Sequence, residues 1–386
     1  MRIGMFTDSY LPRVSGVVHS LEALARGLRA KGHDVLIVAP AYRGYRDTDG
    51  DVLRFPSFRP LRGENFPLAV PFSRSARQRL EQIPLDLVHT HTPFVLGSVA
   101  AGEARRRRVP LVFTHHTLYE EYVHYAAWIP AVVSRRAVRA YVRRFVNRTA
   151  CTIAPSHAVA AYLRGRGVTA RIEVVPTGTI ELSEFADLAP DWVRPAYGVP
   201  ADRPLLVTAS RLGKEKSVGL LLEAFARIPA RYQATLLIVG GGPAIDDLQT
   251  LTGRLGLGRR TVFAGLQPHR RALECIAAGD IFLFASQTET QGLAVIEAMA
   301  AGVPVVAVDA GGVSDAVTDG VTGFLTGPSA AELADRTRLL LDDPPRRRQF
   351  GGAGRAAAQR FSLDQVTDVM IHMYDSVLAG GHGPCI

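Results

Sequence analysis

Short apolar runs alternate along the chain with longer stretches in which apolar residues recur every three or four positions. The first kind reads as strands buried on both faces and the second as helices lying against them. Their regular succession predicts βα units wound around parallel sheets. In the first half, the runs at 2–6, 35–39, 85–89, 111–114 and 151–154 predict strands, with helices over stretches such as 18–31 and 73–82. In the second half, strands are expected at 205–209, 235–239, 261–263, 281–284 and 303–308, and helices over 218–227, 244–254, 292–300 and 331–342. Residues 185–204 hold four prolines and little periodicity, which places the domain boundary there. The expected fold class is α/β, with two tandem doubly wound Rossmann-like domains facing a cleft.

Composition supports this picture. The chain has 386 residues, 47% hydrophobic and 21% charged, enough for two globular cores and too apolar for general disorder. Its longest apolar runs, such as LLVTAS, fall far short of the roughly 20 residues that span a bilayer. The first residues read as a strand running into a loop rather than as a signal peptide, so a cytoplasmic location is expected. Cys151, Cys275 and Cys385 lie far apart without metal-ligand spacing, which argues against a disulfide framework or a zinc site. The net charge of +9 is unevenly placed. Residues 1–190 carry 26 Lys and Arg against 16 Asp and Glu, whereas residues 191–386 carry 19 against 20. Arginine outnumbers lysine 42 to 3, a bias that accounts for the arginine count but not for its location. A surplus confined to one half points to an anionic partner there, such as a membrane, a nucleic acid or a phosphorylated acceptor.

Open parallel sheets bind ligands beyond the carboxyl ends of their strands, so the loops at those ends carry the candidate chemistry. Gly16 closes the loop after the first strand, and residues 240–243, Gly-Gly-Gly-Pro, follow another; neither loop has the GxGxxG spacing of a dinucleotide site. An anion resting on the helix behind either loop is compatible with both. Arg211 and Lys216 follow a strand and are five residues apart, so a guanidinium fork and an ammonium point charge can meet one phosphate. A solvated loop paired to nearby acids is the plainer alternative. Glu289, in a loop, and Glu297, inside the next helix, do not share a helix face. They suit two parts of one extended hydroxyl-bearing ligand, or, singly, surface or capping roles. His116 follows a first-half strand and has Glu120 four residues on, but the pattern is not HExxH and no third ligand is evident, so no metal is expected. Finally, residues 134–148 carry six arginines and no acid, with Val138, Tyr141, Val142, Phe145 and Val146 on one helical face. With Trp128 just before it, this segment reads either as a membrane-surface element or as a core helix with a solvated basic back.

Taken together, these motifs resemble glycosyltransferase family 4, retaining nucleotide-sugar enzymes of the GT-B architecture. The resemblance rests on the Gly16 loop, the histidine of THHT at 114–117, Ser210-Arg211-Leu212 with Glu215-Lys216, the 240–243 loop, and Glu289 to Glu297 followed by AMAAGVP. It implies that Arg211 and Lys216 neutralise the departing diphosphate and that Glu297 binds the ribose. Glu289, with the amides near Gly292 and Leu293, would bind the donor sugar. His116 would sit beside that sugar, and Gly16 and Gly241 would line the phosphates. No cofactor and no metal are implied. Two departures, Ser15-Gly16 for Gly-Gly and Glu289-Thr-Gln-Gly292 for Glu-Gly-Phe-Gly, occur together with TDSYLP, HTHTPFVLG and HHTLYEEYVHY. These variants look like the bacterial branch that glycosylates diacylglycerol. That branch implies UDP-glucose as donor, a lipid acceptor and peripheral attachment to the inner face of the plasma membrane. Trp128, Arg135, Arg136, Arg139, Arg143 and Arg144 would then meet the anionic membrane surface.

The expected layout is an acceptor-binding domain over 1–188, a donor-binding domain over 189–362 and a C-terminal helix over 363–386 packing back on the first. Competing readings are a phosphatidylinositol mannosyltransferase using GDP-mannose, a sugar-nucleotide epimerase, and a nucleic-acid-binding protein. The last leaves the second-half motifs unexplained, so nucleic acid is not an expected partner.

Overall fold

A computed structural model describes residues 1–13, 15–47, 50–58, 67–117, 131–177 and 179–380, with only the backbone for 131–135. Trp128 and Cys385 lie outside the described residues, as does the side chain of Arg135. The chain divides into two compact units, one of Met1–Thr179 with Leu363–Ile386 and one of Ile180–Ser362.

The first unit is built from β1 (Arg2–Phe6), α1 (Gly16–Ala30), β2 (Asp34–Pro40), β3 (Val52–Phe55), a ribbon of β4 (Ser57–Phe58) and β5 (Leu68–Ala69), α2 (Arg74–Glu81), β6 (Leu87–Thr90), α3 (Val95–Arg107), β7 (Leu111–Thr114), α4 (Ala131–Val146), β8 (Cys151–Ala154), α5 (His157–Gly165) and β9 (Ile172–Val174). Seven strands pair in parallel in the order β3-β2-β1-β6-β7-β8-β9. Side chains alternate across the sheet, as the two-residue period of a strand requires. Ile3, Met5 and Leu87 enter one core with Leu21 and Leu28 of α1, while Phe6 and Val88 enter the opposite one with Leu80 and Leu96. The chain winds outward from β1 to β3 and restarts on the other side with β6. The topological switch point therefore lies between the loops that begin at Thr7 and His91.

The second unit follows the same plan with α6 (Leu182–Ala186), α7 (Val193–Ala196), β10 (Leu205–Ala209), α8 (Val218–Ala226), β11 (Thr235–Val239), α9 (Ile245–Arg254), β12 (Thr261–Gly265), α10 (His269–Ala277), β13 (Ile281–Phe284), α11 (Leu293–Ala300), β14 (Val305–Val308), α12 (Val313–Ala316), β15 (Gly323–Thr326), α13 (Ala330–Asp342) and α14 (Pro344–Ala358). Its six parallel strands run in the order β12-β11-β10-β13-β14-β15, so its switch point lies between β10 and β13.

The chain then returns to the first unit as α15 (Leu363–Ala379). Val366, Met370, Tyr374 and Val377 complete the core that holds Ile3 and Met5. Helix α15 lies tightly against α1: a Cβ on Gly27 would stand 2.2 Å from Thr367 Oγ1. Lys31 Nζ bridges Asp364 and Asp368 at 2.6 and 2.7 Å. Strands β3, β4, β5, β9 and β15 and helices α10 and α14 are among the elements that go beyond the pattern read from the sequence. Strand β9 has only three residues and β3 is interrupted by Arg54, and α14 hides behind two leading prolines and a Gly-Gly-Ala-Gly run that speaks against a helix.

Candidate active site

The second unit gathers three of the sequence-selected residues at its switch point. Arg211 and Lys216 follow β10, and Glu289 follows β13, strands that are neighbours in the sheet although about 70 residues apart in the chain. Lys216 Nζ donates to Glu289 Oε1, with both side chains largely shielded from solvent. Arg211 Nη2 pairs with Glu215 Oε1 at 3.0 Å and remains half-exposed. Burial acts to raise the Glu215 pKa, but its own amide, Arg211 and Lys216 outweigh burial and hold it below the ordinary carboxylate value. Ser286 Oγ donates to the Glu215 carbonyl at 3.4 Å and ties the two loops together. Each of the two cations here is thus paired with a carboxylate.

Glycines brace these loops more than they open them. A Cβ on Gly240, at φ +129°, would stand 1.9 Å from the Ser210 carbonyl oxygen, and one on Gly242 would stand 2.4 Å from that of Leu212. Gly241, the position singled out from sequence, has only an ordinary contact with Leu266 at 3.6 Å; its carbonyl accepts from Leu212 N at 2.9 Å. The glycine loop is therefore the floor on which the Arg211 segment rests. Gly311 and Gly312 do the same for Glu289, with Gly312 N donating to the Glu289 carbonyl at 2.9 Å. A Cβ on Gly311 would stand 2.2 Å from that carbonyl oxygen. The sequence reading overlooked this pair, although AGG directly after an apolar strand was a visible signal. Gly292, at φ +80°, turns the chain into α11, whose first amides, beginning with Leu293, have no acceptor within the helix. One and a half turns on, burial pushes the Glu297 carboxyl up to about 8, and Glu184 pushes it the same way.

In the first unit, Ser15 caps α1 by accepting from Val18 N at 3.4 Å, which gives the departure from Gly-Gly a structural role. Next to it, a Cβ on Gly16 would meet no described atom within 4 Å. Asp8, which the sequence reading passed over, accepts from Leu96 N at 2.8 Å and Thr92 Oγ1 at 2.7 Å. It caps α3 from the facing side of the switch point, and burial raises its pKa against those hydrogen bonds. His116 belongs to a row of three imidazoles. Its ring lies nearly parallel to that of His91 with centroids 5.2 Å apart, and His91 is tilted 32° against His89 at 4.3 Å. Burial holds His89 at about 3, with a smaller contribution from His116, and holds His116 at about 3, with a smaller one from His115. Burial, then His89 and His116, keep His91 well below the ordinary imidazole value. The row is neutral at physiological pH. His115 instead turns into the core, edge-on to Phe113 at 5.8 Å.

Helix α4 spends its apolar stripe on the core. Val142, Phe145 and Val146 are buried there and Val138 packs alongside, which leaves Arg136, Arg143 and Arg144 exposed and Arg139 half-buried. Among the described residues, no helix is long and apolar enough to cross a membrane, and no three His, Cys, Asp or Glu side chains converge as metal ligands.

Two tandem parallel sheets, each with its polar loops at a switch point, are the architecture of GT-B glycosyltransferases. Residues 14–180 match the family model Glycosyltransferase Family 4, and residues 193–357 match Glycosyl transferases group 1. The chain is 34% identical over 324 residues to the alpha-monoglucosyldiacylglycerol synthase of Streptococcus pneumoniae, covering 80% of this chain and 71% of that protein. It is 32% identical over 387 residues to the GDP-mannose-dependent alpha-mannosyltransferase of Mycolicibacterium smegmatis, covering 98% of each. HepE of Anabaena, solved in complex with UDP-glucose, superposes with a TM-score of 0.74 at 25% identity, over 97% of this chain and all of that one. The chain belongs to glycosyltransferase family 4, and it is a retaining hexosyltransferase that draws on a nucleotide sugar.

Proposed function

We propose that this enzyme transfers glucose from UDP-glucose to diacylglycerol at a membrane surface, with retention, giving an α-monoglucosyl diacylglycerol. The observation that carries this reading is the 34% identity to a synthase of that name. The basic back of α4 supports it, since its apolar side is committed to the core while Arg136, Arg143 and Arg144 face solvent, the arrangement of a surface that meets anionic headgroups without inserting. In this reading Arg211 and Lys216 compensate the charge that builds on the diphosphate as the glycosidic bond breaks, a role that needs no metal ion. Glu289 and the amides at Gly292 and Leu293 hold the sugar hydroxyls, Glu297 holds the ribose, Gly16 and Gly241 flank the phosphates, and His116 acts on the bound sugar. Arg135, Arg136, Arg139, Arg143, Arg144 and Trp128 serve the membrane contact. The Mycolicibacterium relative, matched over 98% of both chains, favours a second reading in which GDP-mannose is the donor.

Labelled UDP-glucose incubated with diacylglycerol vesicles in the presence of EDTA tests the proposal. Label is expected in the lipid phase, with faster transfer when the vesicles contain anionic lipid. Transfer from GDP-mannose alone would replace the proposal by the second reading, and transfer that stops in EDTA would overturn the metal-free site.

Glu297 yields a separate expectation. Ribose hydroxyls donate best to a carboxylate, yet near pH 7 a group titrating at about 8 is mostly protonated. UDP binding at pH 7 should therefore release close to one proton, falling towards none above about pH 9. Calorimetry in buffers of different ionisation enthalpy reads this release directly, and Glu297→Gln should abolish it. Release unchanged in that variant would remove Glu297 from the ribose site.

A further inference from the structure

His116 is paired through its Nε2 with His91 Nδ1 at 2.9 Å. Both rings are neutral, so one proton lies between the two nitrogens, and whichever ring supplies it fixes the tautomer of the other. The rest of the row is anchored independently. His89 Nδ1 is hydrogen-bonded to Tyr374 of α15 and His89 Nε2 to Thr114 at the end of β7, both at 2.7 Å. His89 is thus pinned at both nitrogens between two elements, and it forms the wall against which His91 packs, ring centroids 4.3 Å apart.

The other nitrogen of His91, Nε2, is buried and has no hydrogen-bond partner among the described residues. An orphaned buried N–H is rarer than an under-used acceptor, because the polarised proton loses more on leaving water. That argument leaves Nε2 bare and puts the His91 proton on Nδ1, where it is donated to His116 Nε2. His116, accepting at Nε2 and neutral, then carries its own proton on Nδ1.

We infer that His91 is a positioning residue that holds His116 in the Nδ1–H tautomer, so that His116 offers the donor sugar a hydrogen-bond donor rather than an acceptor. The inference rests on the proposed role of His116 and adds to it the polarity of the contact and the residue that sets it. A sugar hydroxyl or ring oxygen that accepts from Nδ1–H would be held by a neutral ring rather than by a charged one.

The test uses the full chain labelled with 15N-histidine, together with transfer kinetics. Nitrogen chemical shifts of the wild-type protein should show His116 protonated on Nδ1, with the resonance identified by its loss in His116→Gln. His91→Phe keeps an aromatic ring against His89 but removes the bond. It should lower kcat about tenfold or more with donor KM within about twofold, and convert His116 to mixed tautomers. His91→Asn, whose amide can still donate, should recover part of kcat and of the Nδ1–H signal. A His116 protonated on Nε2 in the wild type, or unchanged kcat and shifts in His91→Phe, would overturn the inference. Should His91→Phe fail to fold, as judged by its thermal melt, the wild-type shifts and His91→Asn decide the matter. His116→Ala separates the two levels: intact transfer in that variant removes the proposed role of His116 itself, whereas lost transfer beside an Nε2–H tautomer removes only the part played by His91.

Discussion

Replacing Lys216 by alanine is expected to lower the kcat of sugar transfer by about 10² to 10³, the usual cost of removing one preorganised charge from a developing anion. The expectation follows from where Lys216 sits. Its ammonium is held by Glu289 in a largely shielded site at the switch point of the second sheet, so its charge is worth more there than in water. That charge is paired with Glu289. In the proposed mechanism the arriving diphosphate would share it, and the carboxylate would turn to the sugar hydroxyls. Glu289→Ala should therefore act differently, raising the donor KM along with its loss of kcat, because it would remove the proposed sugar contacts and leave Lys216 in place. Steady-state kinetics with UDP-glucose distinguish the two. A Lys216→Ala enzyme that keeps its kcat would show that the diphosphate departs without this lysine.

The second large effect is structural. Gly240→Ala should destabilise the second unit by about 3 kcal/mol, the sum of a strained positive φ and a backbone collision. The added Cβ would fall 1.9 Å from the Ser210 carbonyl oxygen, and neither partner in that contact is a side chain that can swing away. Relief requires the Arg211 loop to lift, so donor affinity should fall together with the melting temperature. Gly241→Ala, one residue on, meets only Leu266 at ordinary distance and should change the melting temperature little. Thermal unfolding with and without UDP reads both. Equal melting temperatures for the two variants would mean that the glycine loop does not support Arg211 as described.

Much of this was legible in the sequence because buried parallel strands announce themselves as continuous apolar runs. Ile281–Phe284 and Leu205–Ala209 are buried throughout, and both were read correctly within a residue. The same logic fails at the margins. Ile172–Val174 is three residues long and only partly buried, so it leaves no run to detect. Candidate residues were found where a strand ends in charge, as at Arg211, Lys216 and Glu289. The Lys216–Glu289 pair was not, because it depends on β10 lying beside β13, a fact of strand order rather than of spacing. The histidine row is a sharper case. His91 and His116 are 25 residues apart and meet only because β6 and β7 are adjacent and in register. The apolar stripe of residues 134–148 was correctly seen as helical, but whether core or membrane would cover it was open until Val142 and Phe145 were found in the core of the first sheet.

Helix α15 changes the order in which the molecule can be completed. The second unit is one continuous stretch, Ile180–Ser362, whereas the first takes in residues from both sides of it. On a ribosome, the unit begun first is the one finished last. Until Leu363–Ala379 emerges, Ile3, Met5 and Leu87 lack the cover of Val366, Met370 and Tyr374, and His89 lacks its tyrosine partner. The usual sequence of co-translational folding, with the amino-terminal domain settled before the next is made, is inverted here. The apolar surface that α15 covers stays without that cover through the synthesis of the whole intervening unit.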